Sequence, residues 1–293
     1  MERRMHNLKF AHTVFGISVV ALGFQHFILD HVAGTKPPPT SLLDSSFLVV
    51  GFLYKMGLIT LATAILFNYK IKSAAFSLGI LIFVWTLFRH FPLVIANITD
   101  AAELNSMFMA VAVSGSSFII GSSIQHGALS YPTYLIFNRY VVKVIGNFFY
   151  GMAIVVFGIQ HILYAPFIAS LIPAWIPGGD FWSYGTGLAL IAAGISITFE
   201  WKSQSSSLWL GLMISLWVIL IHFPRVQINP KDYYEWASLF QALIIATSAF
   251  VLRNNLSAMS ENKGAIKHTG LARPSKVRKY WHQRNPTIKE SEV

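Results

Sequence analysis

Apolar residues are distributed along this chain in eight long stretches, near positions 9–29, 47–67, 74–92, 102–121, 144–165, 181–199, 207–223 and 233–252. A helix needs roughly 20 mostly apolar residues to cross the hydrocarbon core of a bilayer, so the pattern predicts eight transmembrane helices. The first stretch is too long, lacks a small-x-small cleavage site and is followed by seven more, so it reads as a span and not as a signal peptide. The polar positions inside these stretches are not scattered. "FVWTLFRHFPLV" (83–94) closes on His90, and "SLWVILIHFPRV" (215–226) closes on His222 with Trp, His, Phe and Pro at the same spacing, 132 positions later.

The repetition extends through most of the chain, and self-similarity of this kind takes precedence in a fold assignment. In the first span "GISVVALGFQH" (16–26) aligns with "GMAIVVFGIQH" (151–161) at an offset of 135. In the second, Tyr54, Gly57 and Leu58 align with Tyr184, Gly187 and Leu188 at an offset of 130. The third aligns Leu78-Gly79, Trp85 and His90-Phe91-Pro92 with Leu210-Gly211, Trp217 and His222-Phe223-Pro224. The fourth aligns Asn97, Asp100, Glu103, Ser106 and Phe108 with Asn229, Asp232, Glu235, Ser238 and Phe240. Four spans return the chain to its starting side, so the two halves enter the membrane in the same sense, as a parallel duplication. The expected fold is an all-α integral membrane protein of two four-helix repeats, 1–121 and 144–252, joined by a linker at 122–143 and followed by a basic tail at 253–293.

Composition agrees with the class. The chain is 54% hydrophobic and 12% charged, with a mean hydropathy of +0.55, whereas soluble domains carry about a quarter charged residues. It has no cysteine, which excludes disulfides, thiolate metal sites and CxxC redox chemistry. Seventeen of the 22 Lys and Arg residues fall in the loops and tail on one side, and the positive-inside rule makes that side, with both termini, cytoplasmic. The tail segment "RPSKVRKYWHQR" (273–284) reads as a contact for anionic lipid at a membrane surface and not as a nucleic-acid binder.

This topology puts the matched polar residues in one layer near the outer interface. Gln25, His26, Trp85, His90 and Glu103 stand there in the first half, and Gln160, His161, Trp217, His222 and Glu235 in the second. Several have structural explanations. Asp100 and Asp232 stand where helix caps stand, Pro92 and Pro224 read as helix stops, and Trp85 and Trp217 resemble aromatic-belt residues. Gly16, Gly23, Gly151 and Gly158 read as close-packing positions. Lys55 and Arg89 belong to the first half alone; Lys55 either snorkels outward or contacts an anion or Glu103.

The duplicated His pairs point further, because intramembrane ionisable groups are functional-site hypotheses by default. His26 with His90, and His161 with His222, can ligate a haem iron from two helices. Two His plus a Glu can hold a non-haem metal. A quinone would use the same layer through His or Gln donors, aromatic walls and a carboxylate for the proton. Spacing alone does not separate these, although no HExxH motif for zinc hydrolysis is present.

The stretch "FGIQHILYAPFIASLIPAWIPGGDFWSYGTGLALIAAGISI" (157–197) resembles the DoxX-like family of four-helix membrane proteins, in Gly158-Ile-Gln-His161, Pro173-Ala-Trp-Ile-Pro177, Phe181-Trp182 and the Gly187…Gly194 helix. The first half departs from it, with "HVAGTKPPPTSLLD" (31–44) at the place of the Pro-Ala-Trp-Ile-Pro turn. The resemblance implies a four-helix bundle in a bacterial inner membrane and an association with membrane redox metabolism, since the family is similar to the small subunit of a thiosulfate:quinone oxidoreductase. It carries over to Gln160, His161 and residues 173–177. The expectation is a redox-associated protein, an oxidoreductase or its subunit if an enzyme, with a membrane redox partner. The alternatives are an assembly or anchoring subunit and a transporter of a small anionic or lipidic solute, the latter disfavoured by the lack of broken midplane helices.

Overall fold

A computed structural model describes residues 2–32, 44–124 and 139–269, and among them all regular structure is helical. The helices are α1 (Glu2–Val32), α2 (Asp44–Leu66), α3 (Ile71–Ala96), α4 (Ala101–Ser123), α5 (Arg139–Leu163), α6 (Ala165–Leu171), α7 (Gly179–Thr198), α8 (Ser203–Ile228) and α9 (Tyr233–Thr269). All but the short α6 are long and apolar enough to cross a membrane, which makes this an integral membrane protein with eight candidate spans. Met1–Asn254 forms one compact unit; a second begins at Asn255, where the described residues continue α9 to Thr269. The basic segment 273–284 and most of the 31–44 stretch lie outside the described residues.

Helices α3 and α8 do not end at their prolines. In α3 the α-helical turns of Ile71–Trp85 pass into a π-helical turn, Thr86–His90, and resume as Phe91–Ala96; α8 does the same over Ser203–Trp217, Val218–His222 and Phe223–Ile228. The backbone N–H of Phe91 bonds to the Thr86 carbonyl and that of Phe223 to the Val218 carbonyl, the five-residue step of a π turn. Pro92 and Pro224 lack an N–H, and their rings would press on the carbonyl four residues earlier in an α-helix. Widening the turn lets each helix pass its proline, so the helices extend to Ala96 and Ile228, beyond the expected stops at 92 and 223.

Burial separates two layers. The crossing segments of α4, α5 and α9 are 61%, 56% and 61% buried, whereas those of α2, α3 and α8 are 22–28% buried and expose Phe, Ile, Val and Leu outward. Helix α1 joins the inner set, with the His12 ring 3.3 Å from the Ser123 hydroxyl of α4 and the Gln25 amide donating to the Tyr233 carbonyl of α9 at 3.4 Å. The α4/α5 crossing brings the halves into close backbone contact. A Cβ on Gly115 would lie 2.6 Å from the Tyr150 backbone nitrogen, so only a residue without a side chain lets these backbones approach.

Packing also corrects the register expected for the second span. Gly16 meets Leu66 and Gly23 meets Ile59 in the first half, while Gly151 meets Thr198 and Gly158 meets Ile191 in the second. The α2 partners therefore correspond to α7 partners at an offset of 132, not 130. Burial agrees: Leu58 and Leu190 are both buried, whereas Leu188, the identity-based match, is 62% exposed. Gly79 against Phe118 and Gly211 against Phe250 follow the same offset. So do the turns "FNYK" (67–70) and "FEWK" (199–202), in which Asn68, Lys70, Glu200 and Lys202 all adopt positive φ. Identities favour the other pairing because Tyr184, Gly187 and Leu188 repeat the spacing of Tyr54, Gly57 and Leu58 two residues out of the packed register.

Candidate functional site

Asp100 ends the loop between α3 and α4 as a helix cap, its carboxylate accepting from the backbone N–H groups of Ala102 and Glu103. Asp232 likewise accepts from the Tyr234 N–H at 2.9 Å. These caps fix the first turns of α4 and α9 and leave Glu103 and Glu235 available to the neighbouring helix.

In the first half, the π turn of α3 presents Arg89 and His90 beside that helix start. His90 Nδ1 stands 3.7 Å from a Glu103 carboxylate oxygen, and its ring lies within electrostatic reach of Arg89 and His26. The His26 and Tyr54 rings meet in a T-shaped contact with centroids 6.4 Å apart, and Tyr54 stacks nearly parallel on Trp85 at 4.3 Å and 9°. Four helices thus contribute to one cluster: His26 from α1, Tyr54 from α2, Trp85, Arg89 and His90 from α3, and Glu103 from α4. Arg89 Nη1 and His90 Nδ1 are buried atoms with no hydrogen-bond partner. Leaving buried donors or acceptors unmade costs about 1–3 kcal/mol each, more for charged groups. Lys55, from α2, holds its ammonium over the Phe27 ring at 5.1 Å.

The second half arranges the same motif differently. His161 stacks directly on Trp217 at 5.6 Å and 16°, because Thr186 occupies the position that Tyr54 fills in the first half. The His161 Nδ1–H donates to the Phe157 carbonyl at 2.8 Å, which leaves Nε2 as an acceptor. Glu235 is buried and gripped by the Arg225 guanidinium through bonds of 2.7 and 2.5 Å. His222 lies within electrostatic reach of this pair. The carboxylate that faces His90 in one half is thus already neutralised in the other.

The Gln residues do not join their adjacent His side chains. Successive helix positions point about 100° apart, and Gln25 turns toward α9 while His26 turns toward α2. Gln25 Oε1 and Gln160 Nε2 are buried without partners. No group of three His, Cys, Asp or Glu side chains is placed to hold a metal ion among the described residues. Sequence reasoning missed two contributors. The match of Tyr54 to Tyr184 hides Tyr54, and nothing in the repeat marks Arg225, because its first-half counterpart at an offset of 132 is Leu93.

Compared with protein-family models, with curated proteins and with solved structures, the chain matches none.

Proposed function

We propose that this is a redox-associated membrane protein of two parallel, DoxX-like four-helix repeats, with both termini cytoplasmic, whose first repeat holds a quinone headgroup near the outer face. The observation that carries this reading is the convergence of Arg89, His90 and Glu103 beside the Tyr54–Trp85 stack, with buried polar atoms left unpartnered. A quinone supplies a two-electron, two-proton couple. Arg89 and His90 would donate to a ring carbonyl, Glu103 would exchange the proton, and the aromatic pair would wall the ring. Haem fits less well, since His26 makes a T-shaped contact with the Tyr54 ring and His90 faces Glu103.

The second repeat supports a different role. With Glu235 bound bidentately by Arg225, its polar layer serves to crosslink α8 and α9, as an anchoring subunit would require.

The test is extraction of lipid from purified protein, with chromatography of any co-purifying quinone, and an oxidised and dithionite-reduced absorption spectrum. Wild-type protein should retain quinone, and His90→Ala or Glu103→Gln should retain about tenfold less, the equivalent of losing one charge-assisted hydrogen bond. Equal retention in all three would reject the site, and a reduced Soret band lost in His90→Ala would replace quinone with haem.

A further inference from the structure

The outward faces of α7 and α8 part next to the Phe199–Lys202 turn, leaving a groove of about 290 Å³. Its floor is small and apolar: Ala189, Ala192, Ala193, Leu210 and Met213 line it, with Trp209 at the side. The two hydroxyls in the lining are already used. Ser206 donates to the Ser196 oxygen at 2.7 Å, and Ser196 donates to the Trp201 carbonyl. With its polar groups spent on each other, the groove offers dispersion contacts to an apolar chain.

Its mouth is cationic. Lys202 lines the groove and holds its ammonium 5.5 Å from the Trp201 ring, while Trp201 and Trp209 are 68% and 69% exposed. The nearby carboxylate of Glu200 does not cancel this charge, because Lys143 and Asn147 of α5 bind it at 2.8 and 3.0 Å. The first half repeats the turn, with Lys70 5.5 Å from the Tyr69 ring, but at an offset of 132 it carries Leu61 in place of Ala193 and Ser77 in place of Trp209. The charged turn is thus shared, while the small floor and the second tryptophan belong to the second half.

We propose that this groove is a binding site for a membrane phospholipid with an anionic headgroup, one acyl chain lying along the alanines of α7 and the headgroup held by Lys202. A cation at the mouth of an apolar channel, flanked by two interfacial indoles, matches that amphiphile's own order of charge, interface and chain. The size suits a single chain, being at the lower edge of the roughly 300–1,000 Å³ typical of small-molecule pockets.

The experiment is native mass spectrometry of the full-length protein titrated with phosphatidylglycerol or phosphatidylcholine. Lys202→Gln should weaken phosphatidylglycerol binding about fivefold, the worth of one charge near a membrane surface, without changing phosphatidylcholine binding. Ala193→Leu, which restores the first-half residue and fills the floor, should reduce phosphatidylglycerol occupancy as well. Lys70→Gln, in the corresponding turn where Leu61 and Ser77 stand in place of Ala193 and Trp209, should leave it unchanged, and the basic tail is common to every variant. Equal losses in Lys202→Gln and Lys70→Gln would show a general charge effect and overturn the site, as would full binding by folded Ala193→Leu. Should Ala193→Leu fail to fold, the comparison of the two Lys variants decides alone.

Discussion

Arg225 holds Glu235 by two hydrogen bonds, whereas the corresponding carboxylate, Glu103, faces His90 at 3.7 Å. Leu93 stands where Arg225 would fall in the first half, so no guanidinium can close on Glu103 in the same way. Glu235→Gln should therefore destabilise the protein by about 1–3 kcal/mol; breaking a buried pair costs about 3–5 kcal/mol, reduced here because the Arg225 side chain is partly exposed. Glu103→Gln should cost less than about 1 kcal/mol. Thermal unfolding in detergent separates the two, and equal losses would refute the asymmetry.

The π turn is expected to serve position more than stability. Pro92→Ala restores the N–H that permits an ordinary α-helical step, and the turn carrying His90 can then tighten and rotate that ring away from Glu103. Quinone retention should fall about tenfold, as for His90→Ala, while the unfolding temperature stays level or rises. Unchanged retention would show that the bulge is incidental.

Two glycines should respond in opposite directions. At Gly115 a new methyl group meets backbone atoms of α5, so Gly115→Ala should cost about 1–3 kcal/mol through overpacking. At Gly185, within α7, a Cβ meets nothing within 4 Å. Gly185→Ala should gain about 0.5–1 kcal/mol from helix propensity. The pair is read by unfolding temperature, and a loss at both positions would mean that α7 has contacts not accounted for by its packing.

Tyr54 separates His26 from Trp85 by a stacked ring. Tyr54→Phe keeps the ring and should change stability by less than about 1.5 kcal/mol, as volume-conserving swaps do. Tyr54→Ala should cost about 3–5 kcal/mol, the usual range for an emptied aromatic site. A small effect of the alanine variant would indicate that Trp85 closes onto His26, the arrangement seen for Trp217 and His161 in the second half.

Much of the architecture was legible in the sequence because a bilayer imposes one-dimensional rules. Apolar runs of spanning length marked all eight long helices, and the caps at Asp100 and Asp232 were read from residue type and position. The duplicated His-Phe-Pro endings located the two turns where the helices depart from α geometry. The π form of those turns was not legible, since a proline near a helix end favours a stop unless neighbouring turns widen to relieve it. Register in α2 and α7 also escaped, because residue identities two positions apart compete, and the glycine contacts, burial and the positive-φ turns choose between them. The division of labour within Gln25-His26 and the capture of Glu235 by Arg225 depend on which helix lies beside which face. That is a property of tertiary packing, where small residues set the approach of the backbones and polar side chains then pair with whatever group lies within reach.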